Sequence, residues 1–310
     1  MANYPNIVRL RPEVRDFIRN RRWVHRGEVI AYGPNIRCDS FSTDGAGFRH
    51  SVFKGETLSV ADVVKQDRYG LVLGSSNLYG FGLAGNENTM PSLLAERFGF
   101  PFAGIALPEA NSRDLYSLLL SIVARTARAP SVVLHFNAGD FTGFCYTGIA
   151  DPVFGYPNLK QLEMALKERG GRPDPTTQYP ALLAFTSLWT RAIGQFCRAR
   201  NVPLVLGNDT TFFEKREPNQ IEIESKLGEA ANPAQQVQFD THRRFSDAYY
   251  DRREQLAEAL GVPLAGPGRN PGKEIGFIDE FHYDREGTRL LTDAFAAAIE
   301  PLLVPAARPQ

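Results

Sequence analysis

The chain has 310 residues, 43% of them hydrophobic, enough to bury a sizeable core in one enlarged domain. Lys and Arg together number 35, as do Asp and Glu, so no net field draws the molecule to nucleic acid or to an anionic membrane surface. Three scattered cysteines, Cys38, Cys145 and Cys197, have neither the even number of a disulfide framework nor the spacing of a zinc site. The N-terminus lacks the apolar core of a signal peptide, and no apolar run approaches the ~18 residues of a membrane span. The expectation is a soluble cytoplasmic protein with no membrane or nucleic-acid partner, its oligomeric state left open.

Residues 1–66 read as an N-terminal extension packed on the core that follows. Val14, Phe17 and Ile18 share one helical face and predict a helix over residues 12–23, with Pro12 in its first turn. The basic run Arg19-Asn20-Arg21-Arg22 reads as its solvated end. Glycines and aspartates between Arg37 and Arg49 predict turns joining short strands.

Residues 67–305 have the alternation of an α/β domain. Apolar runs predict strands at 69–73, 103–107, 132–136 and 202–206, with a short fifth at 262–265. Helices are predicted at 89–98, 112–128, 180–200, 239–260 and 285–303. Strands separated by helices imply right-handed crossovers and a central parallel sheet in a three-layer sandwich. Two stretches break the rhythm: 141–177, with aromatics among glycines and prolines, and 212–238, polar and irregular. Both follow strands, so both are expected as long loops at the C-terminal sheet edge, where open α/β folds bind ligands. Their aromatics either line a site or simply cover the sheet.

Chemistry concentrates at two places. Gly74-Ser75-Ser76-Asn77-Leu78-Tyr79-Gly80 directly follows the first predicted strand, and Asp279-Glu280-Phe281-His282 with Gly287 precedes the last helix. A serine hydroxyl is a weak nucleophile until a neutral imidazole takes its proton, and that imidazole needs a third group to fix its tautomer and stabilise its charge. Ser76, His282 and Asp279 supply these three groups. Taken singly, Ser76 also suits a helix N-cap, as do Ser75 and Asn77, and His282 also suits a helix start or the surface.

On these residues the chain, over about 68–303, resembles the SGNH (GDSL-like) hydrolase family. Gly74, Ser76 and Gly80 keep the spacing of its first block, with Ser75 where an aspartate usually stands. Asp279, His282 and Gly287 match its last block. The resemblance implies a flavodoxin-like sandwich with Ser76 as nucleophile, His282 as base then acid, and Asp279 as the orienting carboxylate. It also implies an oxyanion hole built from the Ser76 amide, a second-block amide and a third-block asparagine. The second block departs from the family pattern, with Glu109 or Ala110 nearest the usual glycine, and an amide there survives if its dihedrals suit a side chain. The third block departs too: Gly139 occupies the asparagine's place and Asn137 lies two residues earlier, so Asn137, or Asn111 in its stead, is the expected side-chain donor.

Asn77, Asn111, Gly139, Asp140, Phe141 and Asn208, on loops around these blocks, are the candidate substrate contacts. Gly207-Asn208-Asp209 imitates the third block but follows a later strand and reads as a substrate-side loop or an ordinary turn. The segment from Asp44 to Arg49, then Gly55, looks like the stretch before the catalytic block in bacterial SGNH-type proteins linked to glycan acylation. Arg49 either meets a substrate acyl or sugar group, or caps a strand end or pairs with Asp44. His135 reads as a satisfied core residue or a sheet-end neighbour of the site, while His25, His50 and His242 are too scattered for a metal centre. The expected activity is a serine esterase acting on an ester of a small molecule or glycan, with no metal and no cofactor. The alternatives are an acyltransferase, a tailoring enzyme in glycan or natural-product biosynthesis, and a binding protein that has lost turnover.

Overall fold

The computed structural model describes residues 4–303 apart from 27, 28, 138, 157–163, 165, 169, 231, 268 and 270. Two helices open the chain, α1 (Tyr4–Leu10) and α2 (Pro12–Asn20), and α2 buries Val14 and Phe17. It stops three residues short of the expected end because Arg21 is extended (φ −61°, ψ 131°). Trp23 instead begins β1 (Trp23–Arg26), which pairs antiparallel with β2 (Val29–Tyr32). Between Arg37 and Arg49 the expected strands are reduced to two isolated bridges, Arg37 with Ser42 and Thr43 with Arg49. A second hairpin, β3 (Ser51–Phe53) and β4 (Glu56–Leu58), turns at Lys54-Gly55, whose φ values of 51° and 80° match the turn that suits strand twist. Ser59 then caps the single turn α3 (Val60–Val63).

The α/β part runs β5 (Gly70–Gly74), α4 (Ser76–Tyr79), α5 (Met90–Phe98), β6 (Phe102–Ala106), α6 (Ser112–Val123), β7 (Val132–His135) and α7 (Asp140–Thr147). It continues with α8 (Pro175–Ala199), β8 (Leu204–Gly207), α9 (Gln220–Glu224), α10 (Pro233–Leu260), β9 (Leu264–Ala265) and α11 (Arg285–Leu303). The five strands form one parallel sheet in the order β6-β5-β7-β8-β9. Alternate strand residues serve opposite layers. Val72, Leu134 and Val205 pack with Leu94 of α5, Phe295 of α11 and Phe17 of α2. Leu71, Leu73, Val133 and Leu206 pack with Leu115 of α6, Ile193 of α8 and Ala257 of α10. Phe17 thus joins the extension to the same core as the sheet, edge-on to Phe81 at 5.0 Å and against Phe41 at 4.6 Å.

The strand order reverses between β5 and β7, where such sheets open a crevice beyond their carboxyl ends. The two expected loops reach that edge but are partly helical. The first contains α7 at its start and α8 at its end, and residues 157–163 of it lie outside the described residues. The second holds α9, capped by Asn219 and Glu222, and the first turns of α10, capped by Asn232. Polar capping residues rather than apolar periodicity set these helices, so the sequence pattern reads as irregular. Within this segment Lys215 and Glu222 form a fully buried ion pair at 2.9 Å. Lys215 also donates to the carbonyl of Ile275, and Glu222 accepts from the Phe277 amide, which fixes the segment leading to His282.

Candidate active site

Gly74 ends β5 where no side chain fits: an added Cβ would lie 2.5 Å from that of Leu78 and 2.8 Å from Oδ1 of Asn137. The chain therefore turns at once into α4, which Gly80 closes in the left-handed region (φ 75°). Ser75 is the cap of α4 and its side chain makes no capping bond. Ser76 Oγ instead lies 2.8 Å from His282 Nε2. On the other side of the ring, His282 Nδ1 is 2.8 Å from both carboxylate oxygens of Asp279. Asp279 Oδ1 also accepts the backbone N–H groups of Phe281 and His282, each at 2.9 Å. With a proton on Nδ1 donated to Asp279, Nε2 is left as the acceptor for the serine hydroxyl. Burial acts to raise the Asp279 carboxyl, but the His282 charge, its hydrogen bond and the two amides outweigh it and hold the group below its ordinary value.

The His282 turn is fixed from several sides. Phe81 stacks on the imidazole at 4.3 Å. Asp284 accepts the Gly287 amide at the start of α11 and pairs with Arg11 of the extension at 3.0 Å. A Cβ on Gly287 would sit 2.4 Å from the carbonyl oxygen of Gly276, which accounts for glycine there.

Asp209 was expected in a substrate-side loop or an ordinary turn, and it joins three loops of the site. Its Oδ2 accepts from Asn77 at 2.7 Å and from Asn137 at 2.5 Å, and its Oδ1 accepts from the Tyr283 hydroxyl at 2.5 Å. Burial raises this carboxyl; the bonds from Tyr283, Asn137 and Asn77 and the His282 charge oppose the rise. Arg49 performs a similar task behind α4. Its buried guanidinium donates to the carbonyls of Tyr79, Gly80, Ser40, Leu83 and Gly85 and to Oδ1 of Asn86. Among the described residues it pairs with no carboxylate, and Oδ1 of Asp44 accepts the amides of Ala46 and Phe48.

Ser76 and His282 open into a cavity of about 290 Å³, which Asn77, Glu109 and Gly139 also line. Glu109 has φ 57°, the left-handed conformation that glycine adopts most easily, and Tyr156 donates to its carbonyl at 2.5 Å. Several expected residues point elsewhere. The Ala110 amide donates to the Leu107 carbonyl and the residue is buried off the cavity. Asn137 uses its side-chain oxygen to accept the Ser75 amide and its nitrogen to bind Asp209, so it braces the site from behind. Asn111 caps α6 by accepting from Asp114, and Asp140 is fully buried against Ser112 and Thr186. Phe141 stacks on Tyr249 at 4.7 Å, and with Asn208 it lines a separate small void. Asp140 and Phe141 at the start of α7, and Asn208 just after β8, thus lie off the Ser76 cavity. Among the described residues no group of three or more His, Cys, Asp or Glu side chains is placed to hold a metal ion. No described helix is long and apolar enough to cross a membrane.

No family model matches the sequence, and no curated protein matches it. Among solved structures the chain is similar to TesA, at 15% identity and a TM-score of 0.45, over 76% of this chain and 99% of that one. It is similar to a carbohydrate esterase family 2 enzyme with its carbohydrate-binding domain from Corynascus thermopiles, at 13% identity and a TM-score of 0.44, over 84% and 74% of the two chains. A GDSL-like lipase from Bacteroides thetaiotaomicron is similar at 14% identity and a TM-score of 0.38, over 76% and 87%. These likenesses are distant, and the bond geometry at Ser76 is what bears on chemistry.

Proposed function

We propose that the chain hydrolyses carboxylic esters through an acyl group carried on Ser76. The observation that carries this reading is the continuous hydrogen-bonded line from Ser76 Oγ through the His282 ring to Asp279, each link 2.8 Å. Ser76 Oγ attacks the ester carbonyl while His282 Nε2 takes its proton. Asp279, kept ionised by its depressed carboxyl, stabilises the imidazolium that forms. The oxyanion is assigned to the backbone N–H groups of Ser76 and Glu109. The tetrahedral adduct collapses, the carbonyl–alkoxy bond breaks, and His282 returns its proton to the departing alcohol. A water then gives a proton to His282 and attacks the acyl carbonyl; as that adduct collapses, the acyl–Oγ bond breaks and His282 passes its proton to Ser76 Oγ, which frees the acid and restores Ser76–OH and the neutral imidazole.

With Asn137 turned away, the hole lacks the side-chain donor expected from the sequence. Loss of one such donor typically costs about 100-fold in rate, so turnover is expected to be modest. Replacing Ser76 or His282 by Ala should abolish hydrolysis of p-nitrophenyl esters while leaving Tm nearly unchanged. Rates near wild type in either variant would refute the assignment.

A further inference from the structure

The cavity beside Ser76 is walled in part by chain that the α/β core does not supply. Arg21, Trp23 and Tyr32 of the N-terminal extension line it together with Ser76 and His282. Tyr32 is 1% exposed and stacks on Tyr79 at 3.9 Å, forming a fixed floor, while Trp23, 43% exposed, stands at the rim. Across from them Tyr146 and Phe281 lie 5.9 Å apart. The charged side chains on the wall are Arg21 and Glu109, besides the imidazole of His282. The Arg21 guanidinium is layered against rings, 5.3 Å from Trp23 and 5.4 Å from Phe81. Six of the remaining lining residues are aromatic, Trp23, Tyr32, Phe81, Tyr146, Tyr156 and Phe281, set among smaller residues, and these rings gain most from an apolar occupant.

Resting on the ester-hydrolase reading above, we infer that the β1–β2 hairpin completes an acyl pocket, and that the substrate's acyl part is an apolar chain or ring rather than acetyl. Size allows more than acetyl. A cavity of about 290 Å³ is many times the space that one water needs, so it has room for several carbons beyond the ester oxygens. An acetyl group would leave most of the aromatic wall in contact with water. The acyl side is chosen over the alcohol side because the acyl group stays bonded to Ser76 through both halves of the reaction. The alcohol must leave and water must enter, which a ring-walled cavity around Ser76 does not favour for the departing half.

The test is kcat/KM for p-nitrophenyl esters with acyl chains of increasing length and for the benzoate, set beside acetate esters of increasingly long alcohols. The expected result is a rise of roughly fourfold per acyl methylene over several carbons, ending where the chain outgrows the cavity, and no comparable rise along the alcohol series. The benzoate arm separates ring from chain: a benzoate rate above that of an equally large chain assigns a ring, and the reverse assigns a chain. Trp23→Ala should lower the octanoate-to-acetate ratio about tenfold, and Thr142→Phe, which fills the cavity from α7, should shorten the preferred chain. A profile highest at acetate, a preference that follows the alcohol, or ratios unchanged in both variants would overturn the pocket assignment. Should no ester turn over and Ser76 resist phosphonylation, the hydrolase reading itself fails and takes this inference with it.

Discussion

His135 closes strand β7 fully buried, and neither of its ring nitrogens has a hydrogen-bond partner among the described residues. A satisfied core histidine was one expectation; the ring is in the core but unsatisfied. Burial, and secondarily the charge of Arg253, hold its pKa well below the ordinary 6.5. His242 is likewise lowered by burial, to about 3. Below pH 6.5 the unfolded chain therefore takes up protons at both rings that the folded chain does not, and stability falls as pH falls. Glu214 acts in the opposite sense, since burial raises its carboxyl from 4.5 to about 7. Between those values the folded state keeps a proton that the unfolded state loses, and Glu214, 3.4 Å from His242, thereby opposes the imidazoles. His135→Leu should then flatten the fall in Tm on going from pH 6.5 to 4.5. It should also raise stability at the acid end, because an unsatisfied buried polar group costs about 1–3 kcal/mol. An unchanged slope would mean that the ring is not held neutral.

At the level of elements, the site is a meeting of three loops that leave β5, β7 and β8 and a fourth that enters α11. Asp209 bonds to one residue from each of the other three: Asn77, Asn137 and Tyr283. Replacing it by Asn removes one acceptor from a set of three donors and loosens the α4 turn against the His282 turn. A misplacement of about 1 Å between reacting groups can cost ~100-fold in rate. Asp209→Asn is accordingly expected to lower kcat by about that factor with little change in KM, and a kcat within twofold of wild type would remove Asp209 from the positioning frame. The sequence offered a substrate-side loop or a Gly-Asn-Asp turn here and no bracing carboxylate, because a carboxylate's partners from distant loops leave no local pattern. Arg49 was unreadable for the same reason. All but one of its acceptors are backbone carbonyls, which any sequence would supply, and the remaining one is Asn86 Oδ1, so Asp44 is not among its partners. Glu109 is the converse case: a side chain in a glycine-like conformation, where only the dihedral reveals that the backbone path is kept.

For the molecule as a whole, the sheet was legible because parallel strands buried on both faces read as unbroken apolar runs, as in Leu71-Val72-Leu73 and Leu204-Val205-Leu206. Ser76 and the Asp279–His282 pair were legible because each sits within a few residues of a strand end or helix start, with glycines that the turns require. The extension was legible only in α2, from the spacing of Val14, Phe17 and Ile18. Its other elements are three to seven residues long, too short for periodicity, and they are held by tertiary contacts such as Tyr32 against Tyr79 and Phe17. For that reason Trp23 read as a helix end rather than as the rim of a cavity. The proposed chemistry nonetheless needs a single reactive oxygen among all the serines of this chain. Brief exposure of the folded protein to a fluorophosphonate, followed by peptide mass mapping, tests it most directly. One adduct at Ser76, absent or greatly slowed in His282→Ala, is the predicted result; a folded protein that takes up no label, or takes it up at another serine, would contradict the account.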